Sequence, residues 1–440
     1  MTTPICDFVS KYADRNPVRF HMPGHKGCSV IGAESLDITE IRGADALYEA
    51  SGIIKESEAN ASELFGANTF YSTEGSSLCI RAMLYLFKLY AGKNAKIIAG
   101  RNAHKTFIST LALLDMDCDW LPADNSSYLS CGVDIEYLEQ WLRTTEGEKA
   151  VYITSPDYLG YTANVRGVSM LCEQYGAKLL VDNAHGAYLK FLELECHPIE
   201  QGAWMCCDSA HKTLPVLTGG AYLHVNKSCT IDLARVKDAM ALFASTSPSY
   251  LILQSLDMAN KLISDGYGKK LCDFMFRANV LKAEISALGF ELMGSEPFKI
   301  TIPTKKFGYY GYEIADILER NRIHAEFYDN DYLVLMISPK NTERDFDLLT
   351  FTLGNVKRRA EITEIAPIIT PPEKAVPPRE ALFGESEIVS TDNALGRIFA
   401  GFNVSCPPAV QIVASGEIIN QSAIDCFKYY GVSECRVLKK

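Results

Sequence analysis

Two polar residues in the middle of the chain follow apolar, strand-like stretches. Asp182 ends the stretch Leu179–Val181, and Lys212 comes shortly after Ala203–Cys207. A lysine amine can form an imine with an aldehyde, and an aspartate can hold a pyridine nitrogen protonated so that the ring accepts electrons. The pair therefore predicts catalysis with pyridoxal 5'-phosphate (PLP), with Lys212 binding the aldehyde and Asp182 facing the pyridine nitrogen.

Each of the two residues also has an ordinary structural interpretation. Lys212 could be a surface lysine at a strand end, and Asp182 could cap the turn that follows it. The run Ser209–Thr213, with Gly219 and Gly220 soon after, favours the catalytic interpretation of Lys212. A lysine that attacks an aldehyde must be neutral, so we expect Lys212 to be buried beside the cationic ring.

A possible phosphate cup lies earlier in the chain. Gly75, Ser76 and Ser77 open a helix after the strand-like Thr69–Tyr71. Glycine allows an anion to approach the backbone, and a helix start offers free N–H groups and a positive dipole end. An ordinary helix cap is the alternative, since serine is common there. Ser209, three residues before the lysine, could donate another hydrogen bond to the phosphate.

Three histidines are further candidates. His185, next to Ala184 in the block that follows Asp182, could stack on the cofactor, and so could His104. His211, beside the lysine, could donate a proton. A lone histidine is more often a satisfied structural residue, and this alternative stays open for each of them.

The sequence predicts no metal site. His21 and His25 have the spacing of a metal-binding pair on a helix, but Pro23 and Gly24 interrupt any helix between them. The 14 cysteines are scattered without a Cys-x-x-Cys pair, which is typical of a reduced protein without structural disulfides or zinc.

Composition excludes several classes of partner. The 440 residues carry a net charge of −11, which argues against binding to nucleic acid or to an anionic membrane surface. No stretch approaches the roughly 18 apolar residues of a membrane helix, and the N-terminus does not resemble a signal peptide. We expect a cytoplasmic enzyme that acts on a small molecule.

Strand and helix patterns alternate between about residue 60 and residue 260, which indicates a mostly parallel sheet covered by helices on both faces. Ligands of such sheets bind beyond the carboxyl ends of the strands, where the polar residues named above lie. We predict an N-terminal segment (1–60), a PLP-binding major domain (61–265), a small α+β domain (266–365) and a C-terminal subdomain (366–440). The first segment is expected to be irregular.

Taken together, these motifs resemble the fold-type I PLP-dependent family of ornithine, lysine and arginine decarboxylases, and they occur in that family's order. The resemblance rests on Phe20–Gly27, Gly75–Ser77, Arg101–Lys105, Thr154–Pro156, Asp182–Gly186, Ser209–Thr213, Ser245–Tyr250 and Pro407–Glu417. It implies a seven-stranded, mostly parallel sheet flanked by helices, with a smaller α+β domain and a C-terminal subdomain.

The resemblance also implies roles for single residues. Lys212 carries PLP, Asp182 holds the pyridine nitrogen, and His104 stacks on the ring. Phosphate is bound by Ser76, Ser77 and Ser209. His211 returns a proton after carbon dioxide leaves.

Two weaker assignments concern the substrate and the assembly. Glu326 resembles an acidic residue near the distal amine of the substrate. Ser247 lies in a segment that reaches the site of the neighbouring subunit in these dimers, so we expect a homodimer with its active site at the interface.

The implied reaction is decarboxylation of lysine, arginine or ornithine, with polyamine formation as a physiological role. Two alternatives remain: a PLP-dependent aminotransferase or Cβ lyase, and a catalytically weak homologue with a regulatory role. The chain departs from the family pattern at Glu74, Asp157, Ala409 and Ser415. It is also expected to lack the N-terminal wing domain of the larger bacterial enzymes.

Overall fold

The structure is a computed structural model that describes residues 1–122, 127–130, 132–402 and 411–439. The start of the predicted tail motif, Pro407-Pro408-Ala409, lies outside the described residues. The chain divides into two compact units, one of residues 1–95, 146–155 and 165–269, the other of residues 96–145, 156–164 and 270–440. The four predicted domain boundaries stay a prediction.

The strands and helices are numbered in chain order. The strands β1 to β12 are Asn68–Ser72, Lys96–Ala99, Asp119–Trp120, Lys149–Thr154, Lys178–Asp182, Met205–Asp208, Ala221–Val225, Lys299–Pro303, Phe327–Tyr328, Tyr332–Met336, Ser386–Ser390 and Glu434–Leu438. The helices α1 to α14 are Pro4–Asp14, Ile53–Phe65, Gly75–Ala91, Lys105–Leu114, Ile135–Thr144, Val165–Gln174, Ala210–Thr213, Leu233–Ala241, Tyr250–Leu262, Gly268–Ala287, Gly311–Arg320, Glu343–Gly354, Pro378–Phe383 and Gln421–Tyr429.

Seven strands form one sheet in the order β1-β7-β6-β5-β4-β2-β3. The pairs β4–β5, β5–β6 and β2–β3 are parallel, whereas β7 runs antiparallel to both β1 and β6. The predicted α/β fold with a mostly parallel, seven-stranded sheet flanked by helices is confirmed.

The central strands are buried along nearly their whole length. Residues 150–153 of β4, 179–182 of β5 and all of β6 and β7 are buried, as expected when helices cover both faces of a sheet. These strands are rich in Val, Leu, Ile, Tyr and Cys, which suits continuous burial better than an alternating pattern would. Burial on both faces explains why the polar residues of this region are confined to the strand ends, with few exceptions.

The N-terminal segment is irregular over residues 16–46, as expected, but its two ends are helical, which the prediction missed. Helix α1 occupies Pro4–Asp14 and α2 already begins at Ile53. Proline is favourable in the first turn of a helix, and the buried Ile5 and Val9 have helical spacing. The start of α1 is held by Asp257, whose Oδ2 accepts hydrogen bonds from the backbone N–H groups of Ile5 and Cys6, both at 3.0 Å.

The second unit holds two smaller sheets. Strands β8, β10 and β9 form an antiparallel sheet, and β11 pairs with β12. The predicted strands at 299–302 and 332–337 and the helix near 312–320 are confirmed within one to two residues. The long helical stretch predicted from Tyr250 is interrupted at Gly266, whose φ of +101° is incompatible with a continuous α-helix.

None of the helices in the described part of the chain is long and apolar enough to cross a membrane.

Candidate active site

Asp182 and Lys212 lie at and just beyond the carboxyl ends of two adjacent parallel strands. Asp182 is the last residue of β5, and the neighbouring strand β6 ends at Asp208. The chain continues from β6 through Ser209 into α7, a single helical turn that carries His211 and Lys212. Parallel strands end at the same edge of a sheet, so this topology brings the acid and the lysine together.

Asp182 is buried, with 2% of its surface exposed. Its Oδ2 accepts a hydrogen bond from the Tyr152 hydroxyl at 3.3 Å, and its Oδ1 accepts from the Cys207 thiol at 3.6 Å and the Ala184 backbone N–H at 3.2 Å. Burial raises the pKa of Asp182 above its ordinary value, and the positive charge of Lys212 opposes that rise. A buried carboxylate of this kind is stabilised by a nearby cation, which is what a protonated pyridine nitrogen would provide.

The Lys212 amine lies 2.9 Å from Nε2 of the buried His185. A protonated lysine would donate in this bond and Nε2 would accept, whereas a neutral amine could also accept from an Nε2–H. The predicted burial of Lys212 is wrong: the residue is exposed. The reason is geometric, because α7 carries the lysine one helical turn beyond the buried strand.

The phosphate cup has the predicted local structure. Helix α3 begins at Gly75, which has a φ of +68° and donates its backbone N–H to the carbonyl oxygen of Gly219 at 2.7 Å. The hydroxyl of Ser209 donates to that of Ser76 at 2.8 Å, so two hydroxyls from separate strand ends converge at this helix start. Ser77 follows in the first turn of α3.

This arrangement fits a phosphate group. A Cβ built on Gly75 would meet no atom within 4 Å, so there is open space beside the helix start. Open space, converging hydroxyls and the positive end of a helix dipole suit an anion. Together with Asp182 and Lys212, these residues fit the phosphate, ring nitrogen and aldehyde of PLP.

Glu74, a departure from the family pattern, has a defined contact. Its Oε1 accepts a hydrogen bond from the backbone N–H of Ser245 at 2.7 Å. The side chain thus ties the segment before the phosphate cup to the Ser245–Tyr250 segment. In that segment Ser247 is exposed, and its backbone N–H donates to the Ser245 hydroxyl at 3.2 Å.

His211 has a fixed ring orientation. Its Nδ1 lies 3.0 Å from the carbonyl oxygen of Gly220, and its backbone N–H donates to the same oxygen at 3.1 Å. Because a carbonyl oxygen only accepts, the ring carries a proton on Nδ1. Nε2 is then the nitrogen that can exchange a proton with a substrate.

The other predicted residues belong to the second unit. His104 is the N-cap of α4, where its Nδ1 accepts from the backbone N–H of Thr106 at 3.2 Å. Glu326 is exposed and lines a cavity of about 340 Å³ that also contains Arg322, His324 and Asp345. Capping explains why a histidine stands at the start of α4, and its stacking role stays a prediction.

Two motif residues of the second unit form a buried ion pair. The guanidinium of Arg101 donates to both carboxylate oxygens of Glu417, at 2.6 and 3.0 Å, and lies over the ring of Trp120. Glu417 ends the predicted tail motif, and Arg101 begins the segment that contains His104. A bidentate pair of this geometry fixes the two segments to each other.

Asp157, another departure, is also buried. One of its carboxylate oxygens accepts from the Ser130 hydroxyl, and the other accepts from the backbone N–H of Tyr161 at 2.8 Å. Burial raises the pKa of this carboxyl. These contacts define a structural role in the turn after β4.

From the sequence, no role was assigned to four polar residues of this region, namely Tyr152, His197, Asp208 and His224. Tyr152 donates to Asp182, and Asp208 forms a fully buried cluster with His197 and His224. An aspartate directly after the apolar run 203–207 was an available signal for Asp208. The two histidines come from a loop and from the apolar pattern of β7, and nothing in their local sequence indicates a shared contact.

Gly186 lies in the turn that follows Asp182, where the neighbouring Asn183 leaves no space for a side chain. A Cβ on this residue would lie 2.0 Å from Oδ1 of Asn183. We expect Gly186→Ala to lower the free energy of unfolding by about 1–3 kcal/mol, the usual cost of overpacking, as measured by chemical denaturation. Gly354→Ala is the control, because its Cβ would lie 3.4 Å from Leu288, an ordinary contact. Equal stability of the two variants would contradict the clash.

Comparison with known proteins agrees with this geometry. The profile of the family described as Orn/Lys/Arg decarboxylase, major domain, matches residues 3–304. The chain is 32% identical to an arginine decarboxylase of Halalkalibacterium halodurans, over 96% of this chain and 91% of that protein. It is 28% identical to an arginine decarboxylase of Bacillus subtilis, over 96% and 92%. The solved constitutive lysine decarboxylase of E. coli shares its fold, with a TM-score of 0.80 at 18% identity over 100% of this chain and 82% of that one.

These matches define the class first: the chain is an amino acid decarboxylase with a fold-type I architecture. More particularly, it belongs to the Orn/Lys/Arg decarboxylase family, as the resemblance predicted. The family implies PLP as the cofactor.

Proposed function

We propose that this protein catalyses the PLP-dependent decarboxylation of a basic amino acid: lysine, arginine or ornithine. The observation that carries the proposal is the pairing of buried Asp182 with Lys212 at adjacent strand ends, beside a helix start that fits a phosphate. The arginine decarboxylases among the relatives support a basic substrate. Formation of a polyamine precursor is the corresponding physiological role.

Bound PLP would supply the electron sink for the pair of electrons left at Cα when carbon dioxide departs. Residues of the chain bind the cofactor, hold the proton at its ring nitrogen and return a proton to the product. Lys212 binds the aldehyde, Asp182 holds a proton at the pyridine nitrogen, and Ser76, Ser77 and Ser209 bind the phosphate in the open space beside Gly75. His211 delivers a proton to Cα from Nε2, because its Nδ1 is engaged with Gly220.

The test uses the purified full-length protein with added PLP and the three amino acids labelled at the carboxyl carbon. We expect a visible absorbance band from lysine-bound PLP and release of labelled carbon dioxide from one of the three. A band with the label retained and a keto acid formed would identify an aminotransferase instead. Absence of the band at saturating PLP would identify a non-catalytic homologue.

We further propose that the protein is a homodimer with its active site at the interface. The segment 18–31 in the first unit presents several exposed apolar side chains, including Phe20 (95% exposed) and Ile31 (85%). Clustered exposed apolar groups are typical of an interaction surface. The resemblance of Ser245–Tyr250 to a segment that reaches the partner's site favours a second copy of this chain as the occupant.

Replacing both Phe20 and Ile31 with Asp is expected to convert the dimer to a monomer in light scattering. Burial of each side chain contributes about 1.5–3 kcal/mol, so the dimer dissociation constant should rise at least about a hundredfold. Decarboxylation should fall with the loss of dimer. Phe351→Asp, at an exposed phenylalanine of α12, is the matched control. A double variant that remains a dimer would refute this interface.

A further inference from the structure

Asp208 is a fully buried carboxylate with three hydrogen-bond donors. Its Oδ1 accepts from the side-chain amide of Asn183 at 2.6 Å, and its Oδ2 accepts from Nε2 of His197 and Nε2 of His224, both at 3.0 Å. The carboxylate and both imidazoles are inaccessible to solvent. Such a complete set of donors is needed to keep a charge in a protein interior.

The hydrogen bonds assign the proton positions. Nδ1 of His197 accepts from the backbone N–H of Ile199 at 3.4 Å, so its ring proton lies on Nε2, directed at Asp208. Nδ1 of His224 bonds the Thr69 hydroxyl at 2.9 Å, which leaves its Nε2–H for Asp208. Burial lowers the pKa of His224, which favours the neutral ring.

Asp208 itself stays ionised. Burial alone would raise its pKa, but the two imidazoles hold the pKa well below the ordinary value. The cluster is therefore a buried carboxylate whose two oxygens accept from three side-chain donors.

The cluster joins the two strand ends from which the catalytic pair emerges. Cys207 and Asp208 are consecutive in β6, so their side chains leave on opposite faces of the sheet. On one face Cys207 donates to Asp182, and on the other Asp208 accepts from Asn183. The backbone adds a bond of 3.0 Å from the N–H of Asn183 to the carbonyl oxygen of Cys207.

These contacts fix the ends of β5 and β6 to each other on both faces of the sheet. Asp182 is the last residue of β5, and Lys212 follows the end of β6 by four residues. Asn183 depends on its contact with Asp208, because its side-chain Oδ1 is buried with no hydrogen-bond partner among the described residues. Without Asp208, the Nδ2 of Asn183 would also lose its hydrogen bond of 2.6 Å. The backbone N–H of Lys212 donates to the carbonyl oxygen of Ser209 at 2.9 Å.

We infer that Asp208, held by His197 and His224, is a positioning residue that fixes Asp182 relative to Lys212. The inference rests on the proposed function, in which those two residues form the catalytic pair. An amide at position 208 would have the size of the native side chain. Its NH₂ group could not accept, so one of the three donors would be left unmet.

The first measurement uses apo-protein, so it is independent of PLP and of any reaction. The rate of reductive methylation of Lys212 by formaldehyde, followed by mass spectrometry across pH, reports the environment of its amine. We expect Asp208→Asn to change this profile about threefold or more at fixed pH. Asp257→Asn is the matched control, since Asp257 is also buried and multiply hydrogen-bonded but binds α1.

The second measurement uses the PLP-loaded enzyme. Misplacement of a catalytic group by a fraction of an ångström should lower kcat between about tenfold and a hundredfold for Asp208→Asn, with KM little changed. His197→Gln and His224→Gln can still donate an N–H to Asp208 and should keep most of kcat, whereas His197→Leu and His224→Leu should not.

Two results would overturn the inference. One is an Asp208→Asn protein with lower thermal stability but native Lys212 reactivity and native kcat, which would show a purely structural role. The other is a stoichiometric divalent metal in the purified protein that is lost in the same variant, since these three ligand atoms lie within 4.8 Å of one another. Failure of the wild-type protein to decarboxylate would leave the apo-protein result intact and would count against the proposed function alone.

A pH dependence of stability follows from the same cluster. Because the pKa of Asp208 is lowered on folding, the unfolded chain binds more protons than the folded one below the ordinary aspartate pKa of about 3.9. The stabilisation is complete above that pKa, begins to decline as pH falls below it, and is lost as pH falls through the lower pKa of the folded state. We therefore expect the stability difference between wild type and Asp208→Asn, measured by urea unfolding, to be full at pH 7 and to shrink below about pH 4. A difference that is constant down to pH 3.5 would contradict an ionised Asp208.

Discussion

Lys212→Ala is expected to lose the visible absorbance of lysine-bound PLP and to reduce decarboxylation by about four orders of magnitude or more, the scale seen when a catalytic nucleophile is removed. The amine is the group of α7 that can bind an aldehyde, and it already contacts the buried His185. Fold and stability should change little, because Lys212 is exposed. The measurements are an absorbance spectrum and release of labelled carbon dioxide.

Lys227→Ala provides the control, since Lys227 is an exposed lysine just beyond β7. It should keep both the absorbance band and the activity. Robust carbon dioxide release by Lys212→Ala would remove the basis of the proposed mechanism. Added methylamine offers an additional check, because a small amine can partly replace the missing side chain.

Asp182→Asn is expected to lower kcat by about a hundredfold or more, the scale observed when one electrostatic group of an active site is removed. A neutral amide cannot stabilise a positive charge at the pyridine nitrogen. Burial raises the pKa of Asp182, and the positive charge of a pyridinium would oppose that rise, as the charge of Lys212 does. Steady-state kinetics at saturating PLP measure the effect.

Tyr152→Phe is the graded comparison for Asp182. It removes one donor to Oδ2 and leaves the bonds from Cys207 and Ala184 to Oδ1. Loss of one hydrogen bond of 3.3 Å to a carboxylate, about 1.5 kcal/mol at the lower end of the range for charged acceptors, corresponds to roughly a tenfold decrease in kcat. If Asp182→Asn lost no more activity than Tyr152→Phe, the carboxylate would not hold the pyridine nitrogen.

The placement of Asp182 and Lys212 at neighbouring strand ends could be predicted from the sequence because its signal is local. Asp182 and Lys212 each follow an apolar run, and parallel strands end at a common edge, so two local patterns suffice to bring them together. The phosphate cup is local for the same reason: glycine and serine at a helix start define it. The comparisons confirm the family and the fold that these motifs suggested.

Other features depend on contacts between distant residues and were not predicted. His197 and His224 both bond Asp208, although 27 residues separate them in the chain. The sequence around His197 is typical of a loop, and that around His224 is typical of a buried strand. The exposure of Lys212 depends on how far one helical turn extends from the sheet. Helix α1 was missed because the glycine-rich composition of the whole N-terminal segment obscured a short amphipathic pattern.

Because Asp257 accepts hydrogen bonds from the start of α1, the first residues of the chain contribute to the stability of the folded protein. Deletion of residues 1–14 would remove the two backbone donors from a carboxylate whose remaining described side-chain contacts are with Ser57 and Cys6, and Cys6 would be lost as well. Leaving a buried acceptor unmet costs about 1–3 kcal/mol per group. Trimming the N-terminus to improve expression would therefore weaken the protein, whereas an added N-terminal tag would leave this contact in place.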